Sequence, residues 1–309
     1  MPRVIFMGTP DFAVPSLKKL VESGFDVVLV VSQPDKPRGR SKEPVMPEVK
    51  REALQYGIEV YQPATLKSEE SVEYLSSFEP DFIVVAAYGK ILPKAVLDLP
   101  KCACINVHGS LLPKYRGAAP IQRAVLNGET VTGVTTMLMG EGLDTGDMLL
   151  KREVAIGENE TAAALFDRLA EIGGELLIET LETFQSIVPE KQDDALATYS
   201  PMIDRSLCPI DWKHSAKTIH NQVRALAVWP VAQTTFGGKT IKVHEGAIAA
   251  ASGNNMIPGS VMKADKKLII ACGNDTAYEI KTLQLEGKKR MPADAFLLGH
   301  KITIGERFD

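Results

Sequence analysis

The chain has little of what marks several common protein classes. Its 309 residues include only four cysteines, Cys102, Cys104, Cys208 and Cys272. Cys102 and Cys104 flank one residue of an apolar run and the other two lie far away, so no disulfide framework is indicated. No second close Cys/His pair accompanies them; a zinc site is unsupported and no metal is expected. No apolar stretch reaches the roughly 20 residues of a membrane span. Val4-Ile5-Phe6-Met7 is too short for a signal peptide and runs straight into Gly8-Thr9-Pro10, so a cytoplasmic protein is expected. That first turn holds one glycine where a dinucleotide fingerprint needs three, which disfavours NAD binding. Repeats and low-complexity segments are also missing.

What is present is an ordinary globular composition, 45% hydrophobic and 24% charged, over a length that suits two domains. The net charge of −4 is unevenly spread. Residues 206–309 hold 14 Lys+Arg against 9 Asp+Glu, or +5, and residues 1–205 hold 21 against 30, or −9. A basic carboxyl third on an acidic chain points weakly to a polyanionic partner.

Strands are expected at Val4–Met7, Phe25–Val31, Val60, Phe82–Ala86, Ala103–Val107 and Val134–Met139. Helices are expected at about Phe12–Ser23, 48–56, 68–77, 120–127 and Thr161–Ser186. This alternation specifies an α/β fold with a Rossmann-like, mostly parallel sheet. The polar stretch Pro189–Ser200 reads as a linker. After a helix over Ser215–Ala225, short β-rich runs follow at Val231–Phe236, Thr240–His244, Ser260–Lys263, Lys267–Ala271 and Tyr278–Leu285. Gly237-Gly238 is a hairpin signal. The expected division is a catalytic domain over 1–189, a linker over 190–205 and a smaller C-terminal β-barrel, OB-like, over 206–309.

Asn106 and His108 close the apolar run Ala103-Cys104-Ile105. Two apart on a strand, they project from one face, at the carboxyl end where open α/β sheets bind ligands. With Asp144 they form the set needed to move an acyl group between nitrogens. The amide donates to a developing oxyanion, the imidazole carries a proton and the acid orients the imidazole. On Asn-x-His alone, a loop cap is the better reading.

Two longer stretches reverse that preference. Asn106-Val107-His108-Gly109-Ser110-Leu111-Leu112-Pro113-Lys114-Tyr115-Arg116-Gly117 and Gly142-Leu143-Asp144-Thr145-Gly146-Asp147 resemble the folate-dependent formyltransferase superfamily. That resemblance implies catalytic roles for Asn106, His108 and Asp144, with 10-formyltetrahydrofolate as co-substrate. Gly117-Ala118-Ala119-Pro120-Ile121-Gln122, Gly8-Thr9-Pro10-Asp11-Phe12, the loop Gln33 to Arg40, Ile210-Asp211-Trp212 and Trp229-Pro230 resemble the methionyl-tRNA formyltransferases in particular. The resemblance covers nearly the whole chain. It implies formylation of charged initiator methionyl-tRNA, for translation initiation; a monomer is expected. One departure stands out. Tyr199-Ser200-Pro201-Met202 lacks the lysine of the usual Tyr-Ala-x-Lys pattern; either Arg205 substitutes or that contact is absent.

A flat pterin needs an apolar wall with backbone hydrogen bonds. Ser110, Leu111, Leu112 and Pro113 beside the catalytic strand are the expected folate residues, with Tyr88, Ile91 and Leu92 as an opposite wall. The two leucines could equally be plain core. His214, His220, His244 and His300 lack motif partners and are expected in surface or core roles. The rival functions are a sugar-nucleotide amine formyltransferase, a formyltetrahydrofolate hydrolase and a silent RNA-binding protein.

The loop from Gln33 to Pro47 carries Lys36, Arg38, Arg40 and Lys42, and its prolines and glycine rule out a stable helix. Such a loop suits phosphate contacts with tRNA. Neutralising Arg38, Arg40 and Lys42 together is expected to raise KM for charged tRNA and to flatten its salt dependence, by about 0.7–0.9 per lost contact in the log–log slope. An unaltered slope and KM would leave the loop as solvated surface.

Overall fold

The computed structural model describes residues 1–37, 43–250 and 256–309. In it the apolar run after Pro2 becomes β1 (Arg3–Gly8), buried from Val4 onward. Pro15 sits in the first turn of α1 (Val14–Glu22), where its missing N–H costs nothing, and Leu17 and Leu20 face inward. β2 (Asp26–Val31) leads into a short hairpin of β3 (Lys36–Pro37) and β4 (Pro44–Val45). Then come α2 (Glu48–Gln55), β5 (Val60–Tyr61) and α3 (Glu69–Ser76), whose N-terminus is capped by the Ser68 side chain accepting from the Ser71 amide. β6 (Phe82–Ala86), α4 (Lys94–Leu97), β7 (Ala103–His108), β8 (Arg116–Gly117) and α5 (Pro120–Asn127) follow. β9 (Val131–Leu138), β10 (Met148–Ala155), α6 (Ala162–Thr183) and β11 (Tyr199–Ser200) complete this part of the chain.

The main sheet has the order β10-β9-β7-β6-β1-β2-β5. β7, β6, β1, β2 and β5 are parallel, and β9 and β10 add an antiparallel edge. The expected α/β sheet is therefore present. β10 was not expected, because Lys151-Arg152-Glu153 interrupt its apolar pattern. As an edge strand it tolerates them, and Arg152 pairs with Glu175 and Glu179 of α6. α6 covers one face of the sheet. A Cβ on Gly173 would lie 3.0 Å from Val107 Cγ1, and one on Gly174 3.1 Å from the Pro15 backbone. Val107 thus points into α6, which turns its neighbours Asn106 and His108 to the other face.

The described chain divides into two units. The first comprises Met1–Pro120, Val131–Ala155 and Phe166–Ser200; the second comprises Ile121–Thr130, Ile156–Leu165 and Pro201–Asp309. The stretch read from sequence as a linker from 190 is built into the first unit as far as Ser200. Glu190 and Met148 exchange backbone hydrogen bonds, and β11 pairs in parallel with β8. A polar composition concealed this, because the partners are main-chain groups.

In the second unit, α7 (Ala216–Ala225) is capped by Ser215 and packs its Ile219 and Val223 into a core with Trp212, Ile241, Val261 and Tyr278. The strands β12 (Ala232–Phe236), β13 (Lys239–Ala249), β14 (Val261–Ala264), β15 (Leu268–Cys272), β16 (Thr276–Leu285) and β17 (Met291–Pro292) precede α8 (Ala293–Gly299). Their antiparallel order is β12-β13-β16-β15-β14, with β17 on β16. The two open edges, β12 and β14, are joined through the tail. Thr235 and Asp309 exchange hydrogen bonds of 2.8 and 2.9 Å, while Glu306 and Phe308 bond to Val261 and Gly259. The tail closes the sheet into the expected barrel and removes its free edges.

Phe308 anchors that closure, 1% exposed, stacked on Phe236 and edge-on to Trp212. Phe308→Ala is expected to destabilise the protein by about 3–5 kcal/mol, as for a buried aromatic. Equilibrium urea unfolding checks this, and a cost near zero would mean that the tail adds nothing to the barrel.

Candidate active site

β7 runs between β6 and β9, with Asn106 opposite Val85 on one side and Met137 on the other. Asn106 is 8% exposed, and its side-chain amide, unpaired among the described residues, keeps access to solvent. His108, two residues on, is buried as well. Its Nε2 lies 2.9 Å from the carbonyl oxygen of Tyr115. A carbonyl only accepts, so Nε2 carries the hydrogen and Nδ1 is the atom left to exchange a proton. Nδ1 faces Asp144 Oδ2 at 3.6 Å, close enough for charge stabilisation and longer than a hydrogen bond.

Asp144 is held from two directions. Its Oδ2 accepts from the Gly117 amide at 2.8 Å. Its carbonyl and that of Gly146 accept both hydrogens of the Gln192 amide, at 2.9 and 2.7 Å. The turn is tight: Asp144 has φ +53°, and a Cβ on Gly146 would lie 1.7 Å from the Leu138 carbonyl. Only glycine fits there. Tyr115 also has a left-handed backbone, φ +63°. It is secured by Thr198 Oγ1 accepting from its amide at 2.8 Å, and by Ser200 Oγ donating to its carbonyl at 3.1 Å.

Of the three side chains expected from the sequence, the structure brings His108 and Asp144 together on the face that carries Asn106. Sequence reasoning missed the backbone of Tyr115 and Gly117 and the side chains of Gln192, Thr198 and Ser200. Gln192 left one signal, an amide that could pair in an otherwise charged stretch.

The residues expected to hold folate are placed less uniformly. Ser110 Oγ donates to the Lys114 carbonyl, and the Leu112 amide donates to Thr135 Oγ1, so both groups lock the loop itself. Leu112 is packed with Met137 and Met148. Leu111 and Pro113 remain half-buried. Tyr88 and Leu92, expected as an opposite wall, have side chains packed into the core with Ile5, Leu29 and Ile83. Burial pushes the Tyr88 hydroxyl up to about 12. An apolar residue after a strand serves a core as readily as a ligand, and here packing won. Ile91 is exposed.

Lys36 is exposed, 3.4 Å from Gln33 Oε1. Arg38, Arg40 and Lys42 lie outside the described residues. The stem before them is pinned: Lys50 bonds Asp35 at 2.9 Å, and Gln62 bonds Asp35 and the Gln33 carbonyl. Met202 is exposed, and its carbonyl accepts from Arg123 at 3.2 Å.

Residues 2–181 match the formyl transferase family and residues 202–301 its C-terminal domain. The chain is 50% identical to methionyl-tRNA formyltransferase of Caldanaerobacter subterraneus over 98% of both chains. The same enzyme of Citrifermentans bemidjiense is also 50% identical, over 98% of this chain and 95% of its own. This chain belongs to the methionyl-tRNA formyltransferase family. The fold extends further. An N-formyltransferase from Helicobacter canadensis, solved with folinic acid and dTDP-3-aminofucose, superposes with a TM-score of 0.70 at 21% identity, covering 91% of this chain and 99% of its own.

In this formyltransferase Gly117 joins the halves of the site, its amide on Asp144 and its α-carbon against Tyr199. A Cβ there would lie 2.6 Å from the Tyr199 ring and 3.0 Å from the Ser200 carbonyl, at φ +111°. Gly117→Ala is expected to lower stability by at least about 1–3 kcal/mol, read by thermal unfolding. An unchanged melting temperature would show that the ring and strand yield freely.

Proposed function

We propose that the chain transfers the formyl group of 10-formyltetrahydrofolate to the free amino group of charged initiator methionyl-tRNA, giving N-formylmethionyl-tRNA and tetrahydrofolate. The observation that carries this reading is the placing of the Asn106 amide on the same strand face as an imidazole whose Nδ1 faces a carboxylate. The donor set fits a formyl donor: the amide for its carbonyl oxygen, and the half-buried Leu111 and Pro113 for apolar contact. A folate supplies the activated one-carbon unit when bound.

Asn106 and His108 stand about 6–7 Å apart along the strand, from two residues of extended rise, which leaves room for a reacting carbon between them. Asn106 donates to the carbonyl oxygen as negative charge develops on it. His108 keeps its Nε2 hydrogen on Tyr115, accepts at Nδ1 the proton released by the attacking amine, and delivers it to the departing nitrogen. Asp144 stabilises the imidazolium between those transfers. One carbon–nitrogen bond forms, another breaks, and the proton count closes.

The second unit is the proposed tRNA-binding domain, together with Lys36, Arg38, Arg40 and Lys42. Its exposed Lys242, Lys281, Lys288, Lys289 and Arg290 have no acidic partner among the described residues, unlike Lys263 and Lys267, which are paired. Phosphates are the natural complement to such a set. The sugar-nucleotide alternative rests on fold likeness at 21% identity, against 50% for the methionyl-tRNA enzymes. The proposed site of action is the cytoplasm, with the chain acting as a monomer.

Formyl transfer to charged initiator tRNA, to an amino-sugar nucleotide or to water, measured side by side, tests the assignment; transfer to tRNA alone is expected. His108→Ala is expected to lower kcat by about 100- to 10,000-fold and Asn106→Ala by about 100- to 1,000-fold. Folate affinity should change little. Near-parental turnover in either variant removes that residue from the chemistry.

A further inference from the structure

Gln192 lies between the stretches that match the formyl transferase family, 2–181 and 202–301. It is nonetheless a buried polar side chain, 5% exposed. Three of its hydrogen-bonding positions are used, each on a group next to the catalytic side chains. Its Nε2 donates to the carbonyls of Asp144 and Gly146, and its Oε1 accepts from Arg116 Nε at 2.9 Å. Arg116 precedes Gly117, whose amide holds the Asp144 carboxylate. The bonds therefore close a ring, from the Asp144 carboxylate through Gly117 and Arg116 to Gln192 and back to the Asp144 carbonyl.

We infer that Gln192 is a positioning residue for formyl transfer, setting the distance between Asp144 and His108 Nδ1. Asp144 sits 3.6 Å from that nitrogen with a left-handed backbone. A turn of that kind persists only where its surroundings over-determine it. The Gly117 bond fixes the carboxylate alone; the Asp147 carbonyl is held by the Leu138 amide, and the carbonyls of Asp144 and Gly146 are held by Gln192. The same segment secures the other end of the imidazole, since Ser200 Oγ donates to the Tyr115 carbonyl that accepts from His108 Nε2. Asp194, also on this segment, pairs with Arg116 at 2.8 Å and holds the guanidinium on the ring. Residues 192–200 thus form a strap across both sides of the catalytic histidine, and Gln192 is the member that grips the acid.

The inference rests on the formyl-transfer reading, and the test separates the two. Gln192→Met keeps the length and removes all three bonds; Gln192→Glu keeps the acceptor for Arg116 and loses both donors to the turn. Both full-length variants are expected to lower kcat for methionyl-tRNA formylation by about 10- to 100-fold, with KM for tRNA and folate within about threefold, as for loss of preorganisation rather than binding. In an Asp144→Asn background Gln192→Met should cost less than about threefold more, because both changes act through one group. Independently of activity, amide hydrogen exchange at Gly117 should accelerate at least about tenfold in Gln192→Met, since its acceptor is released. Parental kcat in both variants, a full multiplicative loss in the Asp144→Asn background, or unchanged exchange at Gly117 would overturn the inference. Failure of the parent to formylate tRNA would instead refute the functional reading, and the exchange measurement would still decide whether Gln192 holds Asp144.

Discussion

The hydrogen bond from His108 Nε2 to the Tyr115 carbonyl is the constraint on which the site depends. It fixes which nitrogen holds a permanent hydrogen and therefore which one is free for chemistry. For that carbonyl to reach back seven residues to the ring, Tyr115 must take a left-handed backbone, which costs roughly 1–2 kcal/mol for a non-glycine residue. Thr198 and Ser200 offset that cost with bonds to its amide and carbonyl. Once Tyr115 is set, Gly117 follows two residues later with its amide on Asp144. The orientation of the imidazole and the placement of its acid are thus one backbone conformation seen from two sides.

Much of this fold was legible in the sequence, for reasons that differ by element. β1, β2, β6 and β7 are short apolar runs bounded by turns, as expected of parallel strands buried on both faces. β10 was not legible, because an edge strand needs so little apolar surface that Lys151, Arg152 and Glu153 erase its pattern. The barrel strands were placed within a few residues, yet nothing in Glu306-Arg307-Phe308-Asp309 reveals that the tail supplies the closing segment. That role depends on which edges are left open once the other strands have paired.

The site shows a sharper division. The proximity of Asn106, His108 and Asp144 could be anticipated because their side-chain chemistry is distinctive and their spacing places the first two on one face. The groups that hold them are the carbonyl of Tyr115 and the amide of Gly117, and main-chain groups are alike at every position. Tyr88, Leu92 and Leu112 illustrate the converse ambiguity. An apolar side chain beside a catalytic strand fits a ligand wall and a core equally well on paper, and only packing decides. Here Tyr88 and Leu92 pack into the buried cluster with Ile83 and Val85 of β6.

The energetics explain why so many polar groups converge on two short segments. Asp144 and Tyr115 each carry the backbone cost of a positive φ. Against this stand the bonds from Gly117, Gln192, Thr198, Ser200 and Arg116, each contributing roughly 0.5–1.5 kcal/mol in net terms. Several such bonds are needed to hold the two strained residues, which no single side chain could supply. A strap that places Gln192, Thr198 and Ser200 on one short segment meets that need with few residues. It leaves the reactive face, the Asn106 amide and His108 Nδ1, as the part of the network that the protein itself does not close.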